Sequence, residues 1–528
     1  MVCISYKRVT TSNGRHYLQE VESVWDPERH RSTVRVLAHL GPCDNKGKLL
    51  RPPRLRVDGV HSSFPVGPLA ALYAAARQLR VREKVEDVLP GASAPLLLCL
   101  ALNQATSRVP LYRLADWVRA SPLPRWEEFD AASLTVRDFE AVLSALCHLT
   151  PAKTWEDRGL LLQQELTRMW RNGSREPAGV YYDITKQAYY GTHCPYAQVG
   201  HDERGTATVI GFGMVVSREH HHPVLCQTLP GAQGDSLSVA PTLELLEAHG
   251  LRRLMLVMDR GMTSKPNIER ALDAGHHVTG VVKGWNKETI EYASRWPGDE
   301  LERTDHVVET SHDRAVYSRA LTAPLFGMSR VRLAVVENIW RKAEDRQARD
   351  LLLQELEGPV PKKRLGEIKL ELGDVIAPSP GRRGFKVDPK AVERERALDG
   401  RFLLFSTDLS LDGREMYRTY FGRDAIEKAF RTSKGELSLA PIRYRRKDRL
   451  DAYATVVYLA YLLWSWAERR LRRKFPLRTL SEAMRSLEGV SWVRFGAGKS
   501  IKEWCTRLNE EQQKLLSAVK GVQYVATY

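Results

Sequence analysis

The chain is predicted to be a multidomain α/β protein. Its 528 residues exceed one ordinary domain, and 43% of them are hydrophobic, enough for sizeable cores. Between about residues 180 and 283 short apolar strands alternate with helical patterns, which is the signature of an α/β core.

The elements follow in order. Residues 1–58 alternate polar and apolar positions, as from Ser32 to Leu37, up to the turn signal Gly41-Pro42, and predict a small β-rich unit. Residues 59–172 switch to a helical period, with Leu69, Leu72, Tyr73 and Ala76 on one stripe and Thr135 placed to cap a helix over 134–147. Arg108, Arg113 and Arg119 give this helical module basic faces. The core proper is expected over 173–475, with strands at Val180–Thr185, Thr206–Ser217, Val224–Leu229, Leu254–Met258 and His277–Lys283. Helices are expected at Ser236–His249 and Lys265–Ala274. The order is lost over about 285–399, where Gly358–Gly384 reads as a loop or linker. It resumes with a strand at Phe402–Ser406 and two long helices near Gly413–Lys434 and Lys447–Lys474. Residues 476–528 are expected to form a helical tail.

A formal charge of +16 favours a polyanionic partner, a nucleic acid or an anionic membrane surface, because neutralised phosphates release counterions. No spanning segment is expected. The longest apolar run, Ala452–Trp466, is interrupted by no charge but falls short of the roughly 20 residues a bilayer requires, and reads as a buried core helix. Met1–Thr10 has no apolar core of signal-peptide length. The seven cysteines are odd in number, scattered and without a CxxC pair, which argues against a disulfide framework or a zinc ribbon. A cytoplasmic protein is expected, with reduced thiols.

Three carboxylates stand out. Asp183 lies within the first core strand, on the face opposite Tyr182 and Ile184, and Asp259 closes the apolar strand Leu254–Met258. An acid at the carboxyl end of a buried strand is where open α/β sheets place ligand sites. A lone Asp there could equally cap a turn or a helix. Glu427 shares a row with Tyr420, Arg423 and Lys434: at about 100° per residue the four occupy an arc of roughly 60° on one helix. A solvated ion-pair face would account for the charges, though not for a tyrosine and an isolated carboxylate in line with two cations.

The spacing Tyr420-x2-Arg423-x3-Glu427-x6-Lys434 resembles the Y-R-E-K signature of DDE transposases from bacterial insertion sequences. Tyr181–Thr185 and Leu256–Gly261 are similar to the segments that bear the first and second acids of that group. Asp399-Gly-Arg-Phe-Leu-Leu resembles the strand before its Glu helix, and Pro110–Trp117, more weakly, its helical DNA-binding region. The resemblance spans roughly residues 180–465 and implies a ribonuclease H-like catalytic core with a β-rich insertion at about 285–399. It implies that Asp183, Asp259 and Glu427 bind two Mg2+ ions, with Mn2+ as a possible substitute. Such ions stabilise both the attacking and the leaving oxygen of a phosphodiester. Water would first nick the end of a mobile element, and the freed 3′-hydroxyl would then join target DNA. Tyr420, Arg423 and Lys434 would grip phosphates beside the cut. The implied partners are double-stranded DNA, as terminal inverted repeats and target, and a second copy of the chain as a homodimer on DNA; the implied location is the nucleoid. The rival functions are a nuclease of the same fold without strand transfer, and a catalytically inactive DNA-binding regulator.

Weaker signals remain. Trp285 and Trp340 could stack on a flipped base, although ordinary core tryptophans are expected. His220–His222 is expected as a solvated loop, because adjacent residues of an extended loop diverge rather than meet at one metal. Asp202, Glu203 and Asp235 sit among glycines that suggest loops, with Asp235 a candidate supporting acid. Arg443–Lys447 is a basic run with a tyrosine, suited to DNA contact.

Overall fold

The computed structural model describes residues 5–26, 31–50, 60–89, 91, 93–150, 155–171, 179–202, 205–311, 314–378, 385–437, 439, 442, 444–497 and 500–525. Two units are distinguished by their internal contacts: Met1–Pro65 with Val490–Arg507 and Thr527–Tyr528, and Val66–Gly489 with Leu508–Ala526.

The first unit holds two three-stranded antiparallel sheets. One is the meander Ser5–Ser12, Arg15–Asp26 and Arg31–Cys43. Its first turn is Asn13-Gly14, both at positive φ, the backbone that a two-residue hairpin demands. The other joins Val60–Pro65 to a hairpin of Ser491–Ala497 and Ser500–Cys505. The stretch 476–528 is therefore not wholly helical. Trp492, Val493, Phe495, Ile501 and Trp504 make its centre aromatic and β-branched, which suits strands.

The second unit is built on a mixed ten-stranded sheet. Its strands are β1 Gly179–Ala188, β2 Gln198–Asp202, β3 Gly205–Ser217, β4 Pro223–Pro230, β5 Met255–Met258, β6 His277–Val281, β7 Val307–Ser311, β8 Arg314–Leu325, β9 Met328–Asn338 and β10 Arg401–Ser406. They run in the order β4-β3-β1-β5-β6-β10-β9-β8-β7, with β2 beside β3. Only β5 is parallel to its neighbours, β1 and β6. Helices α1 Val239–Ala248, α2 Lys265–Asp273, α3 Gly413–Phe421, α4 Asp424–Lys434 and α5 Lys447–Lys474 cover the sheet. Gln227 on β4 donates from Nε2 to Thr242 Oγ1 on α1 at 2.7 Å, on one face. On the other face Phe212 of β3 meets Tyr453 of α5 edge-on.

Helix α5 carries the expected apolar run and is buried from Ala452 to Ser465. It packs on β4 and on the helices Gly67–Gln78, Ser93–Ala105 and Val136–Leu146. Thr135 begins the last of these as its N-cap, its backbone N–H donating to Asp138 at 2.7 Å. Among the described residues no helix is long and apolar enough to cross a membrane.

The segment 285–399 departs from expectation. It is not simply β-rich. Strands β7 to β9 extend the main sheet through β9–β10 pairing, and the helices Ile339–Glu355 and Lys362–Leu372 accompany them. The second helix lies within the stretch expected as a loop, of which residues 379–384 fall outside the described ones. Ile368 and Leu372, four apart, bury against Val375, Ile376, Ala391 and Val392, which gives that lysine-rich sequence a small core. Asp399, within the Asp-Gly-Arg-Phe motif, takes two 2.6 Å hydrogen bonds from Arg349 and so ties helix Ile339–Glu355 to β10. Gly400 beside it has φ +68°, and a Cβ there would press on the Asn338 carbonyl and Lys342.

Candidate active site

The site begins with strand register. Met258 pairs with Tyr182 in the parallel β5–β1 ladder, so the next residue, Asp259, falls alongside Asp183. Tyr182 turns to the α1 face. Asp183 and Tyr181 take the opposite face, where α4 packs on β1 and β3. Two strands thus deliver two carboxylates to one face, under the helix that carries Glu427.

That helix is not continuous. Helix α3 ends at Phe421, and α4 starts at Asp424. Through the break the hydrogen bonds shorten in span: Arg423 N bonds to Tyr420 O, Ala425 N to Gly422 O and Ile426 N to Arg423 O. Tyr420, Arg423, Glu427 and Lys434 therefore do not lie on a single helix. Tyr420 ends α3, Arg423 precedes α4, and Glu427 and Lys434 lie on α4. Gly422 lies in the break and packs close against Tyr181, whose hydroxyl a Cβ there would meet.

Arg423 occupies the centre. Its guanidinium donates to Asp259 Oδ1 at 2.6 Å and reaches Glu427 Oε1 at 3.5 Å. It stacks 5.7 Å from the Tyr420 ring. Burial pushes the Asp183 carboxyl up to about 6. The Ile184 N–H and the Arg423 charge oppose that push, while the negative charges of Asp259 and Asp235 add to it. Asp259 is pushed up by burial as well, but Arg423's hydrogen bond and charge outweigh this and hold it below the usual carboxylate range. Burial also raises the Tyr420 phenol, helped by Asp259, Glu427 and Asp183. Lys434 is half-buried at the far end of α4.

Asp235 belongs to this constellation electrostatically. It opens the 3-10 turn Asp235–Ser238, and a Cβ on Gly261 would sit 3.6 Å from its Oδ2. Asp202 instead ends β2, and Glu203 lies outside the described residues.

Among the described residues no three of His, Cys, Asp and Glu gather closely enough to hold a metal ion. The donor chemistry of the cluster nonetheless fits a hard divalent cation. It is all carboxylate oxygen and partly buried, with Asp183 raised by burial first and by its acidic neighbours second. Arg423 is the cation that balances Asp259 and Glu427 here.

The weaker signals resolve as follows. Trp285 and Trp340 are not core residues: they are 43% and 48% exposed, and the Trp340 indole N–H donates to Glu344 at 2.6 Å. The histidine run is not a solvated loop throughout. His222 is fully enclosed, its Nδ1 3.0 Å from Ser465 Oγ, because the tight turn after β3 folds it under α5. In the basic run Arg446 pairs with Asp448 and Lys447 with Asp451, both at 2.6 Å, while Arg443 lies outside the described residues. A second basic run, Arg469–Lys474, was a signal of the same kind, and charge pattern alone would have found it.

The family model described as the transposase DDE domain matches residues 192–463, more than half of the chain. Asp259 and Glu427 lie inside the match, and Asp183 just upstream of it. No curated protein matches. Among solved structures the chain is similar to a piggyBac transposase synaptic complex with hairpin DNA. Identity is 11% and the TM-score 0.34, over 80% of this chain and 79% of that one. By the family match, the chain belongs to the DDE transposases, enzymes that act on DNA with divalent metal ions.

Proposed function

We propose that Asp183, Asp259 and Glu427 form the catalytic acid triad of this transposase, on a ribonuclease H-like core of β4-β3-β1-β5-β6 with α4 above it. The observation that carries the reading is the Arg423 guanidinium spanning Asp259 and Glu427, beside the raised Asp183. Asp183 and Asp259 would hold two Mg2+ ions, with Mn2+ a possible substitute, and Glu427 would complete the donor set. When bound, the ions stabilise charge on the attacking and leaving oxygens of a phosphodiester. The chain's own residues do the rest. Asp183, partly buried, holds a proton to higher pH than an ordinary carboxyl. Arg423, able to grip phosphate bidentately, and Tyr420 and Lys434 along the same surface, orient the strand.

The reaction so supported is cut-and-paste transposition: cleavage at the terminal inverted repeats of an element, then joining of the 3′-hydroxyl to target DNA. A homodimer on DNA, in the cytoplasm at the nucleoid, completes the reading. So does a helical DNA-binding module over 59–172, after a small β-rich unit over 1–58. Asp183→Asn, Asp259→Asn and Glu427→Gln remove charge at nearly constant volume. Each is expected to abolish cleavage of a labelled element end in Mg2+ while DNA binding persists. Ordinary cutting by any one of them removes that residue from the triad. Wild-type cutting without joining would favour the nuclease reading.

A further inference from the structure

A cleft of about 700 Å³ opens on the flank of α4, bounded by the turn after β3 and the last turns of α5. It lies beside the acids without containing them. Relative to Glu427, Arg431 stands about 40° and Lys428 about 100° round the helix, on the side away from Arg423. Both line the cleft, and Tyr181 and Gly422 form its inner wall at the helix break.

The charges in the cleft are not balanced. Five cations enter it: Lys428 and Arg431 from α4, and Arg469, Arg472 and Arg473 from α5. Three carboxylates face them, and one, Glu468, serves two cations at once, Lys428 at 2.7 Å and Arg472 at 2.9 Å. Among the described residues Arg431, Arg469 and Arg473 have no carboxylate at ion-pair distance. Burial and the charge of Arg473 push the Arg469 guanidinium below its usual value, as expected of cations crowded without a counter-ion. A fold would gain nothing from assembling these charges for stability alone, since exposed cations repel.

We propose that this cleft is a second DNA site, which grips the sugar–phosphate backbone without regard to sequence on the flank of the helix that bears Glu427. The proposal rests on the chain acting on DNA, and not on the assignment of the three acids. Guanidinium groups on two helices can each meet a phosphate oxygen, and the open cleft admits a strand that continues past the acids.

The test is the salt dependence of binding. Arg431→Ala/Arg473→Ala removes two exposed cations, and its affinity is compared with wild type by fluorescence anisotropy between 50 and 200 mM salt. The probes are a random-sequence duplex of about 30 base pairs and a single strand of equal length. Each lost phosphate contact lowers the slope of log K against log salt by about 0.9 on duplex and about 0.7 on single strand, so a fall of about 1.8 on the duplex, about 1.4 on the single strand, or both is expected. Which probe responds tells which form of DNA the cleft holds. An exposed control pair, Arg252→Ala/Arg394→Ala, makes the same change in net charge. A slope equal to wild type on both probes, or an equal fall in the control, overturns the proposal. Thermal unfolding of each variant accompanies the assay; if the pair unfolds, Arg473→Glu alone carries the same test. The slope is read on binding alone, without added metal and without cleavage, so failure of this cleft is distinguishable from failure of the acid triad.

Discussion

Asp183 makes the site costly to the metal-free fold. Its carboxyl titrates near 6 when folded, because burial leads and the neighbouring acids add to it. A carboxyl raised in this way binds more protons folded than unfolded. Its stabilisation is complete below the ordinary Asp value of 3.8 and is lost as pH rises through about 6. At pH 8 the ionised group therefore opposes folding, by at most about 3 kcal/mol. Asp183→Asn is expected to raise the Tm of the chelator-treated protein at pH 8 and to raise it less at pH 5. An equal gain at both pH values would mean that burial does not tune this group. The same residue shows what sequence could and could not reveal. Its place on a strand was legible from alternation around Tyr182 and Ile184. Its electrical coupling to Asp235 was not, because 51 residues and three strands lie between them, and only the fold brings them together.

At the scale of elements, the helix break at Gly422 is the feature that positions Arg423. Sequence spacing placed Tyr420, Arg423, Glu427 and Lys434 on one stripe, since a single Gly inside a helix costs only about 1 kcal/mol and gives no sure sign of a break. What demands the glycine itself is tertiary: the Tyr181 hydroxyl occupies the space a Cβ would need. Gly422→Ala is therefore expected to destabilise the protein by about 1–3 kcal/mol through overpacking, and to impair cleavage by moving Arg423 off Asp259. Tyr181→Phe removes the colliding oxygen and should recover much of both losses in the double variant. If Gly422→Ala alone cuts DNA and unfolds like wild type, the break does not set the site. The lysine-rich helix Lys362–Leu372 escaped notice for a related reason. Flanking Pro and Gly read as linker, and its apolar stripe is too narrow to stand out until Val375 and Val392 close over it.

At the scale of the molecule, the uncharged run Ala452–Trp466 was legible as a buried helix, but not what surrounds it. In α5 it forms a shared spine: β4 packs on it, and so do the helices Gly67–Gln78, Ser93–Ala105 and Val136–Leu146. Polar contacts fasten both sides. On the helical side Gln104 Nε2 meets the Tyr453 hydroxyl at 3.2 Å, and on the sheet side the Thr228 hydroxyl of β4 donates to Asp451. The helical segment upstream and the sheet downstream consequently share one core rather than two. Shared burial couples their unfolding, because neither can expose its face of α5 without the other losing its neighbour. Leu459→Ala deletes fully buried volume from this spine and is expected to cost about 2–5 kcal/mol. Hydrogen exchange is then predicted to quicken together in Ser93–Ala105 and in β4, with Val66–Gly489 melting in one transition. Two separated transitions, with only one of these elements losing protection, would show that the helical module folds on its own core and that α5 merely touches it.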